Sequence, residues 1–416
     1  MMRRPFAFLP AAAFALALAA QPAPEPRDES RAVFNEIDQS VAELSRITGL
    51  KLHRKIAYDL IDRARVNEFL RKRIKEDVRP EEVRAEELTL KKFGLVPPEF
   101  NLEKTTVDLL TEQAAAFYDF HTKKLYISDW TPSAARAATL VHELAHALAD
   151  QNFNLGRYLK RAGKSDDAAL ARMAVMEGQA SWLMSEYLAQ KSGQSLATSP
   201  ALAEMMSRAS DFGGDDYPVF DGAPLYIRET LVFPYTKGMR FQQTLVEKNG
   251  KQAFAEVFRH PPVSTQQILH PEAYFSRRVP SEPELPALTS THGYKELVQG
   301  YFGELDHVIL VRQFAGQAEA DELCPHWRGG RYQLLERRTP ERVVLAYASR
   351  WDSPDSARLF FRFYRDTLRK KWKNVEVLRE TENSVAGVGD DGYFDLRLEG
   401  VDVRSLEGLE SPGQAK

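Results

Sequence analysis

The sequence predicts an α+β protein in two parts: a mainly helical domain with a small sheet, then a smaller domain in which strands and helices alternate. Two observations support this. Apolar residues recur with helical spacing over most of residues 30–259, interrupted by a hairpin pattern at 114–128. Beyond a proline-containing segment at 281–286, runs typical of strands alternate with helical runs. The 416 residues are enough for two or three domains with real cores.

The composition excludes several classes of protein. Lysine and arginine total 56 and aspartate and glutamate total 59, which leaves a net charge of −3 and no basic excess for binding nucleic acid. Cys324 is the only cysteine in the sequence, so an intramolecular disulfide and a multi-cysteine metal site are both excluded. We expect its thiol to be a buried packing group.

The first 19 residues are typical of a cleavable export signal. Arg3 and Arg4 precede an apolar run from Phe6 to Ala20, and Ala17-Leu18-Ala19 has the small-x-small form that signal peptidases cut. The run is shorter than the roughly 20 residues that span a bilayer. We therefore expect a periplasmic or extracellular protein with no membrane span once the signal is removed.

Helical periodicity predicts most elements of the first domain. An amphipathic helix covers Ser30–Thr48, and a second helical pattern runs from Ala64 to Lys92. A hairpin follows, with strands at Ala114–Phe120 and Lys124–Ser128. The later predicted helices are 131–152, 166–191, 235–248 and 252–259.

The order of elements in the C-terminal part predicts a ferredoxin-like domain. Its expected strands are Val308–Arg312, Arg331–Arg337, Arg342–Arg350, Val375–Arg379 and Tyr393–Leu398. Its expected helices are Glu319–Cys324 and Ser353–Trp372, so that its elements begin with the order β-α-β-β-α-β. The whole chain then divides into a signal peptide (1–19), a helical segment (20–49), the mainly helical domain (50–280), a linker (281–289), an α+β accessory domain (290–406) and a tail (407–416).

One predicted helix concentrates the residues that can carry chemistry. It contains His142-Glu143-x-x-His146, and because residues four apart share a helix face, both imidazoles can bind one metal ion. Glu143 is close enough to reach a metal-bound water as a general base. It is the only charged residue from Ala137 to Ala149, so we expect this helix to be buried. The alternative is two core histidines beside a surface glutamate.

A metal bound by two histidines needs a third protein ligand, and Glu177 is the candidate. It lies 31 residues after His146, in the middle of the apolar stripe of the helix 166–191. Gly178 beside it would allow another helix to pack closely. The alternative is a buried glutamate paired with an arginine or lysine. Asp150, near the histidine face, is either a supporting residue for the ligands or only a helix-end residue.

At these residues the chain resembles the gluzincin metallopeptidases, which combine H-E-x-x-H on one helix with a glutamate from a following helix. The resemblance implies that His142, His146 and Glu177 bind one Zn²⁺ and that Glu143 is the general base. It also implies a zincin-like fold for 50–280. The wider pattern is similar to an uncharacterised group of bacterial exported zincin-like proteins. Unlike thermolysin, the chain has no Asn before Glu177, and no Ser-Asp pair follows Glu177 as one does in the thermolysin family.

The resemblance implies two further features of such a site. An edge strand of the sheet would bind extended substrate, for which Ala115, Ala116 and Phe117 could offer backbone groups; an ordinary packed hairpin is the alternative. A side chain opposite the metal would stabilise the transition state, and Tyr235 and His270 are the candidates because both stand in segments that contain proline.

The sequence therefore favours a secreted or periplasmic zinc metalloendopeptidase whose partner is a peptide or protein substrate. A non-enzymatic cell-envelope binding protein on the same scaffold is the alternative, with the metal structural or absent. Glu143 argues against it, since a purely structural metal site has no use for a general base. A zinc hydrolase acting on a non-peptide amide is a third possibility.

Overall fold

The structure is a computed structural model that describes residues 29–62, 64–66, 68–69, 72, 79–113, 116–128, 133–163, 165–209, 217–339 and 341–415. The predicted signal peptide, 1–19, lies outside the described residues, as do residues 20–28 of the following predicted segment. Among the described residues, no helix combines the length and the apolar character that crossing a bilayer requires.

Helices make up most of the N-terminal part. They are α1 (Glu29–Thr48), α2 (Pro80–Phe93), α3 (Leu102–Gln113), α4 (Ser133–Phe153), α5 (Leu155–Lys160), α6 (Asp166–Lys191), α7 (Pro200–Ala209), α8 (Pro218–Asp221), α9 (Leu225–Asn249), α10 (Ala253–Arg259), α11 (Thr265–Leu269) and α12 (Pro271–Phe275). The helix predicted to begin at Tyr235 starts ten residues earlier and includes Pro234. Proline disfavours a helix interior, which is why the sequence pattern suggested a boundary there.

A three-stranded sheet precedes the H-E-x-x-H helix α4. Strands β2 (Ala116–Asp119) and β3 (Lys124–Ser128) pair antiparallel and confirm the predicted hairpin. Strand β1 (Ala57–Ile61) joins β3 in parallel and was not predicted. The strand order β1-β3-β2 makes β2 an edge strand, as expected for the hairpin.

Helices α4, α6 and α9 form the centre of the N-terminal part. Every described residue of α4 from Thr139 to Asp150 is buried, which confirms the burial predicted from its sequence. Helices α6 and α9 cross in backbone contact at Gly178 and Gly238: a Cβ atom at Gly178 would lie 2.1 Å from the carbonyl carbon of Gly238. The close helix packing predicted at Gly178 is therefore confirmed.

The C-terminal part is built on a seven-stranded antiparallel sheet, which confirms the α+β class. Its strands are β4 (Lys295–Tyr301), β5 (Trp327–Arg338), β6 (Glu341–Trp351), β7 (Glu376–Glu380), β8 (Ser384–Gly389), β9 (Gly392–Glu399) and β10 (Asp402–Leu409), in the order β4-β5-β6-β10-β9-β8-β7. Its helices are α13 (Glu304–Ala315), α14 (Gln317–Leu323) and α15 (Pro354–Lys371).

Two expectations for this part are wrong. The segment Val308–Arg312, predicted as a strand, lies inside α13. A short apolar run fits a buried helix as well as a buried strand, so its periodicity could not separate the two. The ferredoxin-like topology also fails, because the first strand pairs directly with the second and the sheet has seven strands.

The two parts share one hydrophobic core. Phe93, at the end of α2, stacks on Phe302 with ring centroids 4.2 Å apart and meets Tyr347 edge-on at 5.3 Å. Leu288, in the predicted linker, bridges to Ala415, so the segment before the sheet is joined to the end of the chain. The C-terminal sheet is thus packed against the helical part at the end of α2.

Candidate metal centre

Helix α4 places His142 and His146 one turn apart on the same face. Both side chains are almost fully buried, at 1% and 2% exposure. The apolar residues around them on α4 bury the other faces of the helix, and this fixes which way the imidazoles point. The alternative of two core histidines beside a surface glutamate is wrong, because Glu143 is fully buried.

Helix α6 brings Glu177 to the two histidines. The Oε2 atom of Glu177 lies 3.2 Å from Nε2 of His142 and 3.3 Å from Nε2 of His146. The alternative partner, an arginine or lysine, does not appear in the ion pairs of Glu177 among the described residues. The sequence-predicted ligand set is therefore assembled in space.

The three ligand atoms form a triangle of the size that a tetrahedral zinc ion needs. The third side, between the two Nε2 atoms, is 3.1 Å, so all three sides lie between 3.1 and 3.3 Å. Bonds of about 2.05 Å to a tetrahedral zinc ion place its ligand atoms about 3.3 Å apart. His142, His146 and Glu177 form the one such group among the described residues.

Electrostatics favour the metal-binding protonation states of Glu177 and His142. Burial would raise the pKa of Glu177, but the neighbouring imidazoles outweigh it and lower that pKa to about 2. Burial lowers the pKa of His142 in turn. An ionised carboxylate and a neutral imidazole are the forms that coordinate a cation. Nδ1 of His142 has no hydrogen-bond partner among the described residues, so no group there fixes the tautomer of this ring.

Glu143 points one oxygen at the sheet and leaves the other free. Its Oε2 accepts a hydrogen bond from the backbone N–H of Tyr118 at 2.6 Å. Its Oε1 is buried and has no partner among the described residues. Burial and the charge of Glu177 raise the pKa of Glu143 well above its usual range, and the Tyr118 N–H offsets this in part. A buried oxygen without a partner is costly, and a metal-bound water would satisfy it.

Tyr235, one of the two predicted transition-state donors, lies beside His142. Its ring is nearly parallel to that of His142, with centroids 6.2 Å apart and planes at 25°. It is carried by α9, whose contact with α6 at Gly238 sets its position.

His270 takes part in a different contact. Its Nε2 lies 2.6 Å from Oε1 of Glu304, at the start of α13, and Nδ1 lies 3.7 Å from Glu272. The hydrogen bond to Glu304 raises the pKa of His270. The ring lines a cavity of about 520 Å³ between α9 and the C-terminal helices, and none of the three metal-site ligands lines that cavity. The structure thus brings Tyr235 to the triad and pairs His270 with the C-terminal domain.

Sequence reasoning missed the residues that attach the hairpin to α4. Asp150 does not contact the histidine rings through its described hydrogen bonds; it binds Lys123, the hydroxyl of Tyr118 and the backbone N–H of Leu155. Tyr118 also holds Glu143 by a backbone group. Such a role leaves no residue-type signature, because any residue except proline can donate its N–H.

Comparison with known proteins gives a match in the C-terminal part of the chain. Residues 296–415 match the model of a domain of unknown function, DUF8575. No curated protein and no solved structure matches the chain. The matched segment contains almost all of the seven-stranded sheet with its helices, and the residues from His142 to Glu177 lie outside it.

Proposed function

We propose that the chain is a zinc-dependent metallopeptidase of the gluzincin type, acting in the periplasm or outside the cell. The observation that supports it best is the buried triangle of His142, His146 and Glu177 with the free Oε1 of Glu143 on the adjacent residue. A structural metal site would have no use for this buried, unpaired carboxylate oxygen.

The residues have distinct roles in this proposal. His142, His146 and Glu177 would hold the ion, which when bound polarises a carbonyl group and lowers the pKa of a water molecule. Oε1 of Glu143 takes a proton from the attacking water and delivers it to the leaving nitrogen. The Tyr118 N–H holds Oε2 of Glu143 during both transfers.

Two further groups are candidates for contact with the substrate. The hydroxyl of Tyr235 would donate a hydrogen bond to the oxyanion; the supporting observation is that the centroid of its ring lies 6.2 Å from that of His142. Peptide binding by the edge strand β2 stays a prediction, because Ala116 and Phe117 are buried at 4% and 1% exposure, which favours the packed-hairpin alternative. Ala115, the third residue expected there, lies outside the described residues. The donor role of His270 stays a prediction, and its bond to Glu304 favours a structural role instead.

The Glu143→Gln variant tests the proposal. Glutamine keeps the size of the side chain but cannot accept a proton, so zinc content should equal that of the wild type while peptide hydrolysis falls by about a thousandfold or more. Zinc is measured by elemental analysis and hydrolysis with a casein or fluorogenic peptide assay, with and without chelator.

Glu186→Gln is the matched control. Glu186 is another glutamate with 2% exposure, on α6, but its partners are Gln190, Ser195 and Leu196 at the far end of that helix. This variant should keep both zinc and activity at temperatures below its unfolding. Unaltered hydrolysis by Glu143→Gln would refute the proposal, and zinc binding by a wild type that hydrolyses no peptide would favour the binding-protein alternative.

A further inference from the structure

Asp150 joins the hairpin to the motif helix by several bonds. It lies near the end of α4 with 4% exposure. The ammonium group of Lys123 donates to both of its oxygens, at 2.8 and 2.7 Å, and the hydroxyl of Tyr118 donates to Oδ2 at 3.0 Å. The backbone N–H of Leu155 donates to Oδ1 at 2.9 Å. The carboxylate thus has hairpin partners on one side and the start of α5 on the other.

Tyr118 connects this carboxylate with Glu143. Its side chain donates to Asp150 and its backbone N–H donates to Glu143, so one residue of β2 binds α4 at two points. The two acceptors are seven residues apart, which is two helical turns, and they therefore lie on the same face of α4. Any shift of the hairpin along α4 would change both bonds together.

The hairpin turn contains one residue in an uncommon backbone conformation. Lys123 has φ = 58°, in the left-handed region that is uncommon for residues other than glycine. Its ion pair with Asp150 is a tertiary contact that can hold it there. Lys124, the next residue, pairs instead with Asp59 on β1 at 3.0 Å and does not bind α4 through its described ion pair.

We infer that Asp150 is a positioning residue for the general base. By holding Lys123 and the Tyr118 hydroxyl, it fixes the Tyr118 N–H on Oε2 of Glu143, which leaves Oε1 as the oxygen that handles the proton. The catalytic consequence rests on the proposed function. The hydrogen bond itself does not, because it can be measured in an inactive protein.

Two neighbouring lysines provide the test. Asp150→Asn is the direct variant, but a change at this buried residue can prevent folding. Lys123→Met is therefore the main variant, because the side chain of Lys123 is 28% exposed. Methionine keeps the length of the stem and removes the ammonium group. Lys124→Met is the matched control, since it removes the adjacent lysine and an ion pair of the same sheet.

The first readout is hydrogen–deuterium exchange at the Tyr118 amide in the full-length chain. Loss of the Lys123–Asp150 ion pair should speed this exchange about tenfold in Lys123→Met, because the closed form of the hairpin loses a charge-assisted hydrogen bond and opens more often. Lys124→Met should leave it unchanged. Glu143→Ala should accelerate it as well, which verifies that Glu143 is the acceptor. Equal exchange in the two lysine variants would overturn the inference.

The second readout is kinetic and separates positioning from general stability. With peptide substrate, kcat of Lys123→Met should fall about tenfold with KM and zinc content unchanged, and Lys123→Arg should recover most of it. In the Glu143→Gln background, Lys123→Met should cause no further loss, because it acts through Glu143. An equal loss in both backgrounds overturns the positioning role. A wild type without peptidase activity overturns the proposed function instead. The exchange result then decides by itself whether Asp150 fixes the Tyr118 N–H on Glu143.

Discussion

Gly178 and Gly238 bring two helices into backbone contact beside the candidate metal ligands. A Cβ atom at Gly238 would lie 2.2 Å from the carbonyl oxygen of Ala174 and 3.1 Å from Cα of Gly178. Glu177 precedes one glycine on α6, and Tyr235 is one turn before the other on α9. The distance between these helices therefore sets where the third ligand and the aromatic ring stand relative to His142.

Gly178→Ala should separate the helices and weaken the metal site. The added methyl group would overlap backbone atoms, which cannot rotate away, so we expect the free energy of unfolding to fall by about 3 kcal/mol. Zinc affinity should fall as well, because Glu177 moves with α6. Chemical denaturation and competitive zinc titration measure the two effects.

Gly156→Ala is the control for this substitution. Gly156 also lies in a helix, α5, but its Cβ would make ordinary contacts with side chains, at 3.4 Å from the ring of Phe120 and 3.9 Å from Oδ1 of Asn154. We expect stability to stay equal or rise by about 0.5 kcal/mol, with unchanged zinc affinity. A Gly178→Ala protein as stable as this control would show that the helix crossing can relax.

Removal of the metal should destabilise the wild-type chain. A ligand that binds only the folded state adds about 2.7 kcal/mol when its free concentration is a hundred times its Kd. Chelator should therefore lower the melting temperature measured by calorimetry, and zinc should restore it. His146→Ala removes one ligand and should melt at the same temperature with and without chelator. A chelator effect that persists in this variant would place the metal elsewhere.

Tyr235→Phe should slow the reaction without releasing the metal. The ring remains against His142 while the hydroxyl is lost, so kcat should fall about a hundredfold at constant zinc content. Tyr226→Phe is the control: Tyr226 is also buried on α9, but its hydroxyl binds Asp306 at 3.0 Å. Full kcat in Tyr235→Phe would exclude this hydroxyl as the transition-state donor.

The His270–Glu304 pair should make stability depend on pH. The hydrogen bond to Glu304 raises the pKa of His270 above its ordinary value, so the folded chain holds this proton more tightly than the unfolded chain. The resulting stability is fully present below the unfolded pKa of about 6.5 and is lost as pH rises through the folded pKa.

His270→Gln tests this dependence. The variant should lose stability relative to the wild type at pH 6 and much less at pH 9, as measured by denaturation at both values. A difference between the two proteins that grows with pH would contradict the sign of the effect.

The sequence predicted which three side chains meet in the candidate metal centre, because the signals for them are local. Two histidines four apart share a face in any α-helix, and the uncharged residues around Glu143 required burial wherever that helix packed. Glu177 was found because a carboxylate in an apolar stripe needs a partner. Strand order was not found: the parallel pairing of β1 joins Ala57 to Lys124, a contact between residues far apart in the chain.

The amino-acid sequence by itself determined the types of the three candidate ligands, the helices that carry the two histidines and the glutamate, and the burial of the helix that carries His142 and His146. Only the tertiary structure decided that the three ligand atoms lie within 3.3 Å of one another, that the Tyr118 N–H binds Glu143, and that His270 pairs with Glu304 rather than the triad. The physical reason is the distance along the chain between the residues involved. Helix periodicity and burial are read from neighbouring residues, whereas these contacts depend on how whole helices and strands pack.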